Sequence, residues 1–268
     1  MNYLLKLFTI SSLFTILCAC SSSNSVGPSE KPKPTITPSQ QPNQAVVQSE
    51  QPVQERSKLQ GEQSKETKQE NTIFSLIPKG WNISEKTKGT PVQATGDLNK
   101  DGIDDIAIII EGEKGTKDQV PQRALVIAFG NGNNQYTFSM MAEKAILKAN
   151  AGGIWGDPLE GISIDRGSIL INFYGGSNDR WYEKYRFRFQ DNDWYLIGAT
   201  LGSFNSGKTT IENADEEDYN LLTGDFTLRK TDEHEQSKAI TTKGNRGNVA
   251  LLKLKDFDAD GDKDQFLK

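Results

Sequence analysis

Beyond residue 100 the chain is punctuated by short β-prone runs with turn-forming residues between them. That punctuation restricts its fold more than any other feature. The runs are 105–110, 124–129, 136–141, 162–165, 168–173, 182–189 and 194–200. Between them stand Asn131-Gly-Asn-Asn, Asp165-Arg-Gly and Gln190-Asp-Asn-Asp. Gly and Asn tolerate the positive φ that a tight hairpin requires, so each cluster reads as a reversal of the chain. Many short strands joined by such turns predict antiparallel β architecture. The expected fold class is mainly β, with antiparallel sheets in a partial-propeller-like or sandwich arrangement. One or two short helices are expected, over 142–149, closed by Gly152, and over 216–222.

The run 181–189 alternates with period two. Trp181, Tyr185, Phe187 and Phe189 share one side, and Lys184, Arg186 and Arg188 the other. Antiparallel sheets usually turn one face to the core and one to water, and this pattern fits that reading. The basic side is also the stripe that an anionic glycan or lipid headgroup would require.

Composition narrows the chemistry. The 268 residues carry 31 Lys and Arg against 36 Asp and Glu, a net charge of −5. An acidic chain without basic clusters argues against a nucleic-acid partner. One His, at 234, and two Cys, at 18 and 20, preclude a His-rich zinc site, a Cys-x-x-Cys redox pair and a disulfide framework. A Ser–His–Asp triad would need His234, which sits in the polar run Thr231-Asp-Glu-His-Glu-Gln, a poor place to bury a base.

The N-terminal residues read as an address. Lys6 precedes an apolar run, 7–17, that is too short to span a bilayer core of ~30 Å. It has the layout of a secretory signal. Leu17-Cys18-Ala19-Cys20 then resembles a bacterial lipobox, in which cleavage precedes a lipid-modified Cys. The resemblance implies a signal peptide over 1–19 and acylation of Cys20, which leaves no free thiol in the mature chain. Ser21 after that Cys, where Asp would imply inner-membrane retention, implies the outer membrane of a bacterial cell envelope. Residues 21–70 hold six of the ten prolines, nine glutamines and no aromatic residue. Such a stretch cannot bury enough apolar surface to offset its chain entropy, so 20–70 is expected to be a disordered tether. The folded part is expected over 71–268, which holds 22 of the 24 glycines and all four tryptophans.

Two aspartate-rich segments carry the strongest chemistry. Residues 97–105 read D-L-N-K-D-G-I-D-D and residues 256–264 read D-F-D-A-D-G-D-K-D. A hard cation such as Ca²⁺ takes about six to eight oxygens at roughly 2.3–2.6 Å, gathered from a sharply curved loop. Alternate residues of such a loop converge, and its Gly permits the bend. The expected ligands are Asp97, Asn99, Asp101 and Asp105 with the carbonyl of Ile103, and Asp256, Asp258, Asp260 and Asp264 with the carbonyl of Asp262. Neither segment is an EF-hand, because the twelfth positions are Ile108 and Leu267 instead of Glu. Strands are expected after the first loop, at Ile106-Ala-Ile-Ile-Ile, and before the second, at Val249-Ala-Leu-Leu-Lys-Leu. From residue 71 the net charge is −6, with −3 in residues 97–105 and −3 in residues 255–264, so these loops hold all of the domain's net acidity. Crowded carboxylates repel unless a cation intervenes.

The run Ala94-Thr-Gly-Asp-Leu-Asn-Lys-Asp-Gly-Ile-Asp-Asp-Ile-Ala-Ile resembles the calcium loop of FG-GAP/VCBS repeats, found in integrin α-chain propellers and bacterial surface proteins. Asp97, Asn99, Asp101 and Asp105 match that family's metal ligands, as do Asp256, Asp258, Asp260 and Asp264. The Phe-Gly/Gly-Ala-Pro signature is missing, and a propeller needs at least about four blades of about 40 residues. Two loops in under 200 residues should not close one. The segment from Gly156-Asp-Pro to Gly224 is also similar to part of bacterial lipoproteins of unassigned activity.

The expectation is thus a lipid-anchored, non-enzymatic envelope protein whose Ca²⁺-stabilised β domain binds a protein or glycan. The rival is an envelope polysaccharide hydrolase using a carboxylate pair drawn from Asp157, Glu160 and Glu183, the acids nearest Trp155 and Trp181.

Overall fold

A computed structural model describes residues 72–113, 119–232 and 239–268, all within one compact unit. Cys18, Cys20, the signal and tether residues through 70, and His234 lie outside the described residues.

The strands run β1 (Trp81–Ile83), β2 (Glu85–Thr87), β3 (Thr90–Pro91), β4 (Gln93–Gly96), β5 (Asp105–Gly112), β6 (Arg123–Gly130) and β7 (Tyr136–Ala142). They continue with β8 (Leu159–Asp165), β9 (Ser168–Gly176), β10 (Asp179–Gln190), β11 (Asp193–Asn205), β12 (Asp215–Asn220), β13 (Asp225–Thr231) and β14 (Ala239–Asn245). A single helical turn, α1 (Asp264–Leu267), comes last. Strands β8 to β14 form a seven-stranded antiparallel meander in chain order. A smaller sheet has the order β1-β5-β6-β7, with β4 sharing one edge of β5 with β1. Strands β2 and β3 make a separate ribbon.

The turns behave as their residues dictate. Arg166 and Gly167 at φ 50° and 67° join β8 to β9, and Asp191 and Asn192 at 49° and 60° join β10 to β11. Two consecutive positive φ values match the twist of the flanking strands. Every strand expected in 105–200 is present.

The two sheets share one core. Ala107, Ile109, Leu125 and Ile127 of the small sheet pack with Ile171, Phe173, Tyr185, Phe187, Trp194 and Leu196 of the large one. Trp194 also donates from Nε1 to Ser139 Oγ on β7 at 3.0 Å, which ties the sheets together. The opposite faces of β5 and β6, with Ile108, Ile110, Ala124 and Val126, lie under Ile73, Ile77, Trp81 and Ile83. Burial on both faces explains why 106–110 is an unbroken apolar run, whereas β10 alternates.

Three expectations are corrected. Residue 142 ends β7 and residues 143–149 form turns and bends, because Ala145, Ile146 and Leu147 are buried in succession and a helix would expose one of them. Residues 216–222 hold most of strand β12, because their acids meet tertiary partners: across the sheet Glu216 faces Arg229 and Asp218 accepts from Thr200 Oγ1, and Glu217 accepts from Lys263 Nζ just before α1. Tertiary pairing there outweighs helix propensity. Residues 249–254 form no strand; they run beside β11 through one bridge, Tyr195 to Lys253, and a bond from Leu196 N to the Leu252 carbonyl at 2.9 Å.

Candidate functional site

The first aspartate-rich segment is the hairpin tip between β4 and β5, which pair from Gly96 opposite Asp105. Leu98, 1% exposed, anchors it in the core. The loop is closed from within. Asp97 accepts from the N–H groups of Lys100 at 2.6 Å and Gly102 at 3.1 Å. Asn99 Oδ1 accepts from Asp101 N at 3.0 Å, and Asp101 Oδ1 from Ile103 N at 2.8 Å. Lys100 and Gly102 take positive φ, 68° and 83°, which bends the backbone around these carboxylates. Asp105 is fully buried and accepts from Leu98 N at 2.7 Å, Asn99 N at 3.2 Å and Gly130 N at 2.8 Å. Burial pushes its carboxyl above the usual range, against the pull of those three bonds.

The second segment takes another course. Asp256 ends a 3₁₀ turn, Asp264 starts α1, and Phe257 and Phe266 are buried. Asp258 Oδ2 lies 3.2 Å from Lys144 Nζ, and its Oδ1 accepts from Asp260 N at 3.1 Å. The Asp262 carbonyl, an expected metal ligand, accepts from Gln265 N and Gln265 Nε2, each at 3.1 Å. Gln265 Oε1 accepts from Asp258 N at 3.0 Å.

Both segments offer only oxygen, the donor type a hard cation requires. In the first, each oxygen of Asp97 and Asp101 accepts one bond from the loop and keeps a second lone pair. The residues therefore fit Ca²⁺ in donor type and backbone course. Among the described residues, however, no three His, Cys, Asp or Glu side chains are gathered as a metal group, so binding would require side-chain adjustment. The second segment fits less well, since Lys144 and Gln265 occupy acceptors a cation would use.

A different feature lies on the outer face of the seven-stranded sheet. Trp155, 51% exposed, stands beside Tyr174 and Tyr182 over a cleft of about 720 Å³. Arg180 stacks on the Trp155 ring at 4.5 Å and fixes its pose. Asn172, Lys184, Glu160 and Glu216 supply polar groups. Tyr182 donates to Glu216 and lies flat across Gly202, where a Cβ would strike its ring. Burial first, and Glu216 second, push the Tyr182 hydroxyl upward, so it stays protonated as a donor. At Lys184 the cleft meets a second groove of about 580 Å³, lined by Arg166, Arg186 and Arg188. The period-two reading of β10 placed those cations together but omitted Tyr182, which shares their parity. Glu216 and Arg229 carried no local signal, since the meander alone brings them to the cleft.

The acids considered for hydrolysis stand in different surroundings. Asp157 is held bidentately by Arg123, both bonds at 2.6 Å. Burial raises its carboxyl, but the bonds from Arg123 and the Leu159 N–H outweigh that and hold it low. Glu183 bonds Tyr185 at 3.0 Å on the core-facing side of β10, as Trp181 packs against the core. Only Glu160 of the three lines the Trp155 cleft.

No protein-family profile matches the chain, and no curated protein matches it. A solved structure described as a Xanthomonas type IV secretion system related protein is similar over 60% of this chain, at 12% identity and a TM-score of 0.28. The match spans 63% of that protein's own chain. Among the described residues no helix is long and apolar enough to cross a membrane.

Proposed function

We propose that the chain is a non-enzymatic binding protein of the bacterial cell envelope, lipid-anchored through Cys20, that recognises a protein or glycan on the outer face of its larger sheet. The observation that carries this reading is the cleft under Trp155. A half-exposed tryptophan held by a cation–π contact, beside convergent polar groups, is the usual make-up of a recognition site. The engagement of Asp157 by Arg123 and of Glu183 with Tyr185, which leaves Glu160 alone of the three in the cleft, favours binding over the hydrolase alternative. Ca²⁺ in the first hairpin, held by Asp97, Asn99, Asp101, Asp105 and the Ile103 carbonyl, would stiffen the entry to β5 by neutralising its carboxylates. The second loop is the weaker candidate for the same ion.

Photo-crosslinking tests the reading. A photoreactive residue replacing Trp155 should capture an envelope component, and the same group replacing Phe138, exposed on β7, should not. Equal capture from both positions would refute a dedicated outer-face site. Calorimetric titration of metal-stripped protein with Ca²⁺ tests the ion separately.

A further inference from the structure

The outer face of β10 carries Lys184, Arg186 and Arg188 at successive outward positions, roughly 7 Å apart along the strand. Arg166 joins them from the β8–β9 turn. This groove, whose one acidic lining residue, Asp218, accepts from Thr200 Oγ1, lies on a domain whose net charge from residue 71 is −6, so its four cations are a local arrangement and not a general excess. Two of the four are short of counter-ions. Arg186 bonds Asp165 at 3.0 Å, and Arg166 bonds the same carboxylate at 3.2 Å. Arg188 bonds the neutral Gln190 amide oxygen at 3.0 Å, and Lys184 stands 5.7 Å from the Tyr182 ring centre. Neither Lys184 nor Arg188 pairs with a carboxylate among the described residues. Gly198 lies opposite Arg186 and contributes no side chain, which helps leave the floor open.

We infer that this groove and the adjoining Trp155 cleft together hold an oligosaccharide bearing acidic groups. The inference rests on the outer face being the binding surface proposed above. Charge complementarity selects the anion at the groove end, since Lys184 and Arg188 lack carboxylate partners, whereas the cleft end carries Glu160, Glu212 and Glu216 and suits an uncharged part of the sugar chain. The aromatic end selects the sugar. Trp155 offers a half-exposed ring for stacking on a pyranose face, and Asn172, Thr200 and Asn220 offer hydrogen bonds to hydroxyls along the way.

The test uses the full-length chain in detergent. Calorimetry compares a galacturonic-acid hexamer with a neutral galactose hexamer, and glycerol 3-phosphate serves as a probe for headgroup or free-phosphate binding. The acidic hexamer should bind at least tenfold more tightly than the neutral one, and more weakly as salt rises. Lys184→Gln combined with Arg188→Gln should lower that affinity at least tenfold, whereas Lys255→Gln, on an exposed distant lysine, should leave it unchanged. Trp155→Ala should weaken both hexamers. An unchanged melting temperature in the double variant separates lost charge from lost fold; should that variant unfold, the salt dependence and the neutral hexamer still decide. No binding of the acidic hexamer, equal binding of both hexamers, or stronger binding of glycerol 3-phosphate would overturn the inference. If Trp155 crosslinks an envelope component while the acidic hexamer fails to bind, the ligand class falls and the outer-face reading survives. If neither occurs, both fall.

Discussion

The two aspartate-rich loops share a nine-residue pattern and part company at the residue that closes them. In both, the second position is buried, Leu98 in one and Phe257 in the other. In both, the N–H of the third position needs an acceptor. The first loop supplies the buried carboxylate of Asp105 to Asn99 N, and the second supplies the neutral amide of Gln265 to Asp258 N. The residue after the pattern decides this. Ile106 continues into a strand that holds Asp105 inward, whereas Gln265 lies in a helical turn that leaves Asp264 exposed. A shared Asp-x-(Asp/Asn)-x-Asp-Gly-x-x-Asp spacing therefore produces one loop organised by charge and one organised by an amide.

Substitutions can break or sharpen that contrast. The largest effect is expected for Asp105→Ala, which orphans three N–H groups and should cost about 3 kcal/mol or more in urea denaturation. Asp264→Ala should be nearly silent in the same measurement, and equal losses would erase the distinction. Gln265→Ala comes next, at about 1–2 kcal/mol, because its amide ties Asp258 and Asp262 together. Asp101→Ala should lower thermal stability by about 1 kcal/mol more in Ca²⁺ than in EDTA, where only its loop bonds are lost; equal loss in both would contradict a metal at this loop.

Acid would protonate both loops at once, so the comparison needs a carboxylate outside them as reference. Asp157 serves, because Arg123 holds its carboxyl below the ordinary 3.8. A depressed carboxyl stabilises the fold above its unfolded value and loses that contribution as pH falls through its folded one. The stability gap between the native chain and Asp157→Asn should thus be full at pH 7 and close below pH 3.8. The smallest effect, under about 0.5 kcal/mol, is expected for Lys144→Ala, whose ion pair with Asp258 is exposed. A larger loss would show the second loop to be organised by charge after all.

The strands between 105 and 200 were legible because hairpin turns are decided locally, by Asn and Gly at the bend. Strand β12 was not, since its run of acids is a helix former until Arg229, Thr200 and Lys263 are brought opposite it. The first loop was legible as the entry to a strand because an apolar run follows it directly, whereas its pairing with β4 was not. The closure of the second loop by Gln265 depends on a side chain just beyond the motif. The cleft was half legible: alternation along β10 grouped the cations, but Trp155, Glu216 and Arg229 reach it from separate stretches of chain.

The cover over the small sheet has a mechanical consequence. Ile73, Ile77 and Trp81 lie over the second face of β5 and β6, and β1 holds the edge through only three residue pairs. A pull transmitted along the chain from residues before 72 enters the fold here and loads those pairs one after another. Tension would peel the lid from Ile108 and Ile110 before it strained the seven-stranded sheet, so the outer face of the larger sheet would keep its shape while the near end gave way.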